Sequence, residues 1–158
     1  MHPTVERVVA AAAAAGLDIE PVEYADGTRT VAEAAASVGV GEGQIVKSLV
    51  FTLDGELVMA LMSGSNRLDG AALATAAGHP GAKTARPDAD AVREGTGFAI
   101  GGIPPFGHKG PLLTFIDEDL LQYDVVFAAA GTHQHAFGIA PAELVRISTG
   151  TVADLAER

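Results

Sequence analysis

The first residue that could do chemistry is Lys47, a lysine inside the apolar segment Val46–Val50. Strand alternation puts Lys47 on a face that is otherwise apolar and should point to the core, with Ile45, Leu49, Phe51 and Leu53. If that ammonium opens onto a cavity, desolvation should lower its pKa. In the alternative interpretation the lysine lies near a strand end and extends to water. The strand alone leaves both interpretations open.

The second feature is the segment Gly101–His108, in which two adjacent prolines lie between glycines. Pro104 and Pro105 fix two successive backbone torsions and carry no amide donor, which predicts a rigid, solvent-facing loop. A Walker-type phosphate loop needs successive N–H groups and a Gly-Lys-Ser/Thr ending, so a nucleoside-triphosphate site is not favoured. We expect this loop to form the wall of a site of small-molecule size, with Phe106 as its apolar surface.

The third feature is the turn Gly131–His133, which follows an apolar segment. Gly131 could offer a backbone N–H to an oxyanion, and His133 could orient a carbonyl group or a water molecule. A metal site of His108, His133 and His135 is an alternative, but a His-x-His pair without a carboxylate pattern is a weak metal signal. A serine-hydrolase site is not favoured, because no serine lies in a Gly-x-Ser-x-Gly elbow.

Composition narrows the classes of protein that can hold these residues. The 158 residues predict one domain with a proper core, since 48% of them are hydrophobic. The absence of cysteine excludes disulfides and thiolate chemistry. A net charge of −10 argues against a large nucleic-acid-binding surface but allows binding of the last nucleotides of an RNA. The candidate cations for binding these nucleotides are Lys47, Arg67, Lys83, Arg86 and Lys109.

Turn and cap residues predict the elements that must position these side chains. The strongest prediction is a hairpin of Ile45–Leu53 and Glu56–Met62 around a type I′ Asp54-Gly55 turn. Predicted helices follow Thr4, Thr30 (with the capping-box partner Glu33), Asp69, Asp88 and Pro141. Further predicted strands are Ile19–Tyr24, Phe98–Ile100, Leu112–Ile116, Val125–Ala129 and Phe137–Ile139. Because strands and helices mix irregularly, we predict a mixed α/β fold with a curved, partly closed sheet or barrel and short outer helices.

Taken together, three motifs resemble the YbaK/ProX family of aminoacyl-tRNA deacylases, which includes the prolyl-tRNA-synthetase-associated editing domain. They are Val46–Val50, Gly102–Gly107 and Gly131–His133, followed by Ile139–Val145. The motifs are specific as a set, and the resemblance covers nearly the whole chain in the right order. It implies one mixed α/β editing domain over residues 1–158 that hydrolyses the ester between a mischarged amino acid and the 3′ end of a tRNA.

The resemblance also implies roles for residues. Lys47 would be the functional lysine, with Gly131 and His133 as the other catalytic residues. The residues assigned to substrate binding are Phe51, Ser63, Gly102, Ile103, Pro104, Pro105, Phe106, Gly107, His108 and Thr132. No metal or other cofactor is expected. The Thr132-His133 turn departs from the cysteine-specific branch, which favours a small aliphatic or hydroxylated amino acid as the one removed.

The expected partner is the aminoacylated 3′ end of a tRNA, with an aminoacyl-tRNA synthetase as a second candidate and with neither membrane nor DNA. The expected location is the cytoplasm. Two competing functions stay open at this point. One is a non-catalytic module of the same fold that binds an aminoacyl or nucleotide group, and the other is a metal hydrolase using His108, His133 and His135.

Overall fold

Short helices and strands follow one another irregularly in the structure, a computed structural model that describes residues 2–25, 28–110 and 112–158. The helices are α1 (Pro3–Ala14), α2 (Val31–Val38), α3 (Gly70–Ala76), α4 (Ala89–Thr96) and α5 (Pro141–Ser148). The strands are β1 (Val22–Glu23), β2 (Val46–Leu53), β3 (Glu56–Ser63), β4 (Thr84–Ala85), β5 (Leu113–Asp117), β6 (Val126–Ala129), β7 (His135–Ile139) and β8 (Thr151–Ala153). Single 3₁₀ turns occupy Glu42–Gln44 and Glu118–Gln122.

The β2–β3 hairpin is the centre of the larger sheet, and its two strands pair antiparallel from end to end. Asp54 and Gly55 both have positive φ, at 48° and 88°, as a type I′ turn requires. The predicted hairpin and its turn are therefore confirmed. The sheet has the order β4-β2-β3-β5-β8, in which β5 runs parallel to both of its neighbours.

A smaller antiparallel sheet of order β1-β7-β6 lies beside the first. A single parallel bridge between Ile45 and Phe127 links the two sheets at the start of β2. The predicted mixed α/β class is confirmed, and the sheet does not close into a barrel. This bridge brings the turn after β6 next to the beginning of β2, which is where Lys47 lies.

Both faces of the larger sheet are covered by apolar side chains. On one face Leu49 and Phe51 of β2 pack into a cluster with Leu73 of α3 and Phe115 of β5. On the other face Val46 and Val50 belong to the main core, whose other members include Val8, Ala12, Phe98, Ile103, Phe106 and Phe137. The apolar residues that share a face with Lys47 therefore do point to a core, as strand alternation predicts.

Local sequence signals place most helix ends correctly. The Thr30 side chain accepts a hydrogen bond from the Glu33 amide, and Gly39 ends α2 with a φ of 76°. Asp69 and Asp88 cap α3 and α4 in the same way. For α1 the predicted cap is wrong, because His2 accepts from the Thr4 amide at 3.2 Å and Pro3 begins the helix.

Two predicted strands are corrected by the structure. Phe98–Ile100 is not a strand, because the buried Thr96 hydroxyl binds both the amide and the carbonyl group of Phe98. The Gly102 amide then closes a turn onto the Ala99 carbonyl group. The predicted strand Ile19–Tyr24 is reduced to Val22–Glu23, the two residues that pair with β7.

The double-proline loop is buried, which contradicts the predicted solvent-facing position. Pro104, Pro105 and Phe106 are all buried, and the Phe106 ring lies 5.6 Å from the Phe137 ring in an edge-to-face arrangement. Prolines have no amide N–H to satisfy, so burying two of them leaves no donor without a partner. The absence of two amide donors was the reason to expect an exposed loop. The same absence allows the loop to be buried at no cost in unpaired donors.

None of the helices in the described part of the chain has both the length and the apolar character that crossing a bilayer requires.

Candidate functional site

A cavity of about 360 Å³ opens between the start of β2 and two loops, 99–103 and 129–135. Its walls are mainly apolar, and Ile45, Val46, Ile100 and Ile103 contribute to them. Its polar lining residues are Tyr24, Thr28, Arg29, Thr30, Lys47, Ser48, Thr132, His133 and His135. An apolar pocket with a few convergent polar groups is typical of a small-molecule site.

Lys47 is half-buried in the wall of this cavity, on β2 opposite Met62 of β3. Its Nζ donates a hydrogen bond to the main-chain carbonyl oxygen of Asn66. Burial is the largest influence and lowers the pKa of Lys47, whereas the Asp117 carboxylate raises it and Arg67 lowers it. Lys47 is thus a partly desolvated lysine that lines the cavity, and its ammonium is held by Asn66, a residue outside the cavity lining.

The turn 131–135 forms another wall of the cavity, with Thr132 at its centre. The Thr132 hydroxyl lies 2.6 Å from His135 Nδ1 and accepts a hydrogen bond from the Gln134 amide at 3.1 Å. On its other side His135 Nε2 lies 3.7 Å from a carboxylate oxygen of Glu23. His135 is therefore held from both ring nitrogens, while the His133 side chain is exposed at the cavity mouth.

Gly102 and Gly131 lie at close backbone contacts, Gly102 against the turn 131–135 and Gly131 against the first turn of α1. A Cβ atom on Gly102 would lie 2.7 Å from Thr132 Cα, and one on Gly131 would lie 2.7 Å from the Thr4 carbonyl oxygen. Gly131 also has a φ of 103°, a conformation that other residues avoid. Both glycines line a neighbouring depression that shares Thr132 and His133 with the cavity. Close backbone contact thus accounts for glycine at both positions, and the positive φ is a second reason at Gly131.

The predicted site residues of the double-proline loop divide into two groups. Ile103 lines the cavity, but Pro104, Pro105 and Phe106 lie behind it in the core. His108 Nε2 lies 2.7 Å from the Pro104 carbonyl oxygen, a contact that holds the loop together. Burial lowers the pKa of His108, and the hydrogen bond to Pro104 raises it. Gly107 is exposed with a φ of 78° and lies beside α1 instead of the cavity.

Phe51 and Ser63 also lie away from the cavity wall. The Phe51 ring lies 5.4 Å below the Arg86 guanidinium and borders a smaller depression that shares Ser48 and Ile100 with the cavity. Ser63 is 1% exposed, and its hydroxyl donates to the Gly43 carbonyl oxygen at 2.7 Å. Neither residue is part of the cavity lining.

Several cavity residues give little signal in the sequence. Arg29 lines the cavity, whereas the candidate cations Arg67, Lys83, Arg86 and Lys109 do not. Ile100 is 62% exposed and borders the cavity and both adjoining depressions. The Ser48 hydroxyl is buried without a hydrogen-bond partner in the described ranges. Strand alternation gives no help with Ser48, because it puts Ser48 on the opposite face from Lys47 although both residues line the cavity.

The three histidines of the metal alternative do not share a location. His133 and His135 line the cavity, but His108 is bound to Pro104 and lines none of the spaces around it. Within residues 2–25, 28–110 and 112–158, no group of three or more histidine and acidic side chains is arranged to hold a metal ion. The geometry gives the metal-hydrolase alternative no support.

Comparison with known proteins identifies relatives in sequence and in structure. The model of the aminoacyl-tRNA editing domain matches residues 25–147. The uncharacterized protein YwhH of Bacillus subtilis (strain 168) is 30% identical over 131 residues, which are 82% of each chain. The proline--tRNA ligase of Maridesulfovibrio salexigens is 36% identical over 95 residues, 60% of this chain and 16% of the ligase.

Solved structures agree with these sequence relatives. The crystal structure of a candidate trans-editing enzyme for prolyl tRNA synthetase is 43% identical, with a TM-score of 0.93 over 100% of this chain and 99% of that one. The hypothetical protein APE2540 is 34% identical, with a TM-score of 0.84 over 96% of this chain and 99% of that one. The family resemblance inferred from the three motifs is confirmed, and the chain belongs to the aminoacyl-tRNA editing domain family, of YbaK type.

Proposed function

We propose that this protein is a trans-acting deacylase, one editing domain over residues 1–158, that hydrolyses the ester of a small amino acid mischarged onto the 3′ end of a tRNA. The observation that carries the proposal is the position of Lys47. Its partly desolvated ammonium lies in the wall of a cavity of about 360 Å³, and the Thr132–His133 turn lines the same cavity. The family relationship supplies the substrate class.

The proposed reaction needs no protein nucleophile, because an aminoacyl ester is already activated. A water molecule attacks the ester carbonyl carbon, and the negative charge that develops on the carbonyl oxygen is stabilised by the Lys47 ammonium. The bond between that carbon and the ribose oxygen then breaks, and the ribose oxygen takes up the proton that the attacking water loses. The products are the free amino acid and a tRNA with both terminal hydroxyls. One well-placed donor of this kind lowers the barrier by about 3–4 kcal/mol.

Other cavity residues act by positioning the substrate. His133, exposed at the mouth, orients the ester carbonyl or the attacking water, and the terminal ribose hydroxyls help to hold that water. Size selection belongs to Ile45, Ile100 and Ile103, since these apolar side chains line the cavity. Pro104, Pro105 and Phe106 support Ile103 from the core and set the position of that wall.

Recognition of the tRNA is confined to its aminoacylated end in this proposal. The chain has a net charge of −10, which leaves little attraction for the body of an RNA. Lys47 and Arg29 are the cations in the cavity lining, and one or two local cations suffice for a terminal phosphate. A synthetase that delivers the mischarged tRNA is a further proposed partner, and the proposed location is the cytoplasm, where such tRNAs are made.

The test is a deacylation assay with a panel of tRNAs carrying alanine, serine, threonine, cysteine or proline. We expect multiple-turnover release of at least one small non-cognate amino acid, and similar release from a short 3′-terminal fragment carrying the same ester. Retained activity in a chelator is expected for the metal-independent mechanism. Binding of these substrates without release would instead indicate the non-catalytic binding module, and loss of activity in the chelator would indicate a metal hydrolase.

A further inference from the structure

Behind Lys47, three neighbouring strands bring a buried carboxylate to the same end of the sheet. Lys47 of β2 lies opposite Met62 of β3, and Leu61 of β3 lies opposite Ile116 of β5. Asp117 follows Ile116 at the end of β5 and is 0% exposed. A carboxylate that is taken completely out of water needs hydrogen bonds from its surroundings.

Asp117 receives those hydrogen bonds from three donors. Its Oδ2 accepts from the Ser63 amide at 3.0 Å and from Asn66 Nδ2 at 2.9 Å. Its Oδ1 accepts from the Asp119 amide at 3.0 Å. The Ser63 amide lies just beyond the last paired residues of β3 and β5, so Asp117 fixes the point where the chain leaves the sheet.

Asn66 connects this carboxylate to Lys47. Its side-chain amide bridges Asp117 and Asp119, at 2.9 Å and 2.7 Å, while its main-chain carbonyl oxygen accepts from Lys47 Nζ. Asp119 is in turn bound by Arg158 at 3.2 Å. The side chain of Asn66 is therefore fixed by acids, and its backbone presents the acceptor for the lysine.

We propose that Asn66 and Asp117 are positioning residues of the editing site. Asp117 fixes the Asn66 loop and provides a buried negative charge that acts on Lys47, and the Asn66 carbonyl oxygen holds the Lys47 ammonium in place beside the cavity. This inference rests on the proposed function for its catalytic meaning. Its structural part, the coupling of Asp117 and Asn66 to Lys47, can be measured without any reaction.

The sign of the electrostatic effect follows from the charges around Lys47. Asp117 favours the protonated lysine, Arg67 disfavours it, and the cavity adds Arg29, His133 and His135 at its walls. Asp117→Asn removes the favourable charge, so the pKa of Lys47 should fall further below its usual value. If the ammonium is the active form, the loss of activity on the alkaline side should then begin at a lower pH.

The experiment compares the pH dependence of kcat/KM for the wild type, Asp117→Asn and the control Asp124→Asn, which removes a carboxylate from an exposed residue. The rate measured with Lys47→Ala is subtracted, because aminoacyl esters hydrolyse spontaneously in alkali. We expect the fall in kcat/KM on the alkaline side of the pH profile (the alkaline limb) to move to lower pH only in Asp117→Asn. An unchanged limb in a folded Asp117→Asn protein, even with lower activity, would overturn the positioning role.

A second measurement is independent of catalysis. The chain contains three lysines, so carbon NMR of the ε-methylene groups can follow Lys47 with Lys83 and Lys109 as internal references. We expect Asp117→Asn to lower the titration midpoint of Lys47, and Asn66→Ala to shift its signal while leaving the references in place. Asn66→Ala also keeps the test decisive if Asp117→Asn does not fold. An unaltered Lys47 signal in Asn66→Ala would refute the coupling, whereas altered signals in a protein without deacylase activity would refute the proposed function alone.

Discussion

The two walls of the cavity are built by opposite means. On one wall Lys47 belongs to a fully paired hairpin, and its Nζ is bound to a carbonyl group whose residue is fixed by two acids. On the other wall the turn 131–135 depends on the left-handed Gly131 and on one threonine that binds His135, and its His133 side chain is exposed. Regular pairing fixes the first wall, and loop packing fixes the second.

This difference assigns the two walls different tasks. A charge that must meet a developing oxyanion needs a fixed position, and a lysine on a paired strand provides it. A wall that adapts to the substrate is better made from loops, which tolerate sequence change without loss of the fold. We therefore expect substitutions on the hairpin wall to act on the chemical step, and substitutions in the turn to act on orientation and on the choice of amino acid.

The largest expected effect is that of Lys47→Ala. Removal of the donor should lower kcat for deacylation by about 100- to 1,000-fold, the range typical of an oxyanion-stabilising group. The unfolding midpoint should change little, because loss of a partly desolvated charge need not destabilise the fold. The assay is single-turnover deacylation with the best substrate of the panel, combined with denaturant unfolding.

Lys83→Ala is the matched control for that variant, since Lys83 is exposed and lies outside the cavity. It should retain the activity of the wild type. A Lys47→Ala protein that is folded and fully active would remove Lys47 from the mechanism and with it the distinction between the two walls.

A smaller effect is expected for Thr132→Ala on the loop wall. The variant loses the hydroxyl that lies 2.6 Å from His135 Nδ1. One hydrogen bond of about 0.5–1.5 kcal/mol corresponds to a fall in kcat/KM of about 2- to 13-fold. Thr132→Ser keeps the hydroxyl and should restore most of the activity. If Thr132→Ala is as damaging as Lys47→Ala, the loop wall takes part in the chemical step.

Local patterns in the sequence predicted the hairpin wall well. Alternation along β2 and the Asp54-Gly55 turn depend on neighbouring residues alone, and both appear in the structure. The mixed α/β class and the family also follow from the sequence. The hydrogen bonds that link Lys47 to Asn66 and Asn66 to Asp117 were not predictable, because strand pairing between distant segments brings these residues together.

The loop wall was predicted less accurately. The double-proline motif indicated exposure wrongly, because burial depends on whether an apolar partner such as Phe137 is available. No strand forms at Phe98–Ile100, because the Thr96 hydroxyl binds the amide and the carbonyl group of Phe98. The periodicity of the sequence does not reveal this contact. Arg29 and Ile100 enter the cavity through the packing of loops, for which the sequence has no comparable pattern.

The most direct test of the account is where a stable substrate mimic binds. The mimic is adenosine that carries alanine or serine on its 3′ position through an amide, which resists hydrolysis and represents the aminoacylated end of the tRNA. Titration followed by NMR should perturb the Lys47 ε-methylene and His133 ring signals and leave Lys83 and Lys109 unchanged. Saturable binding that perturbs Phe51 and Lys83 while Lys47 and His133 stay constant would contradict the assignment of this cavity as the editing site.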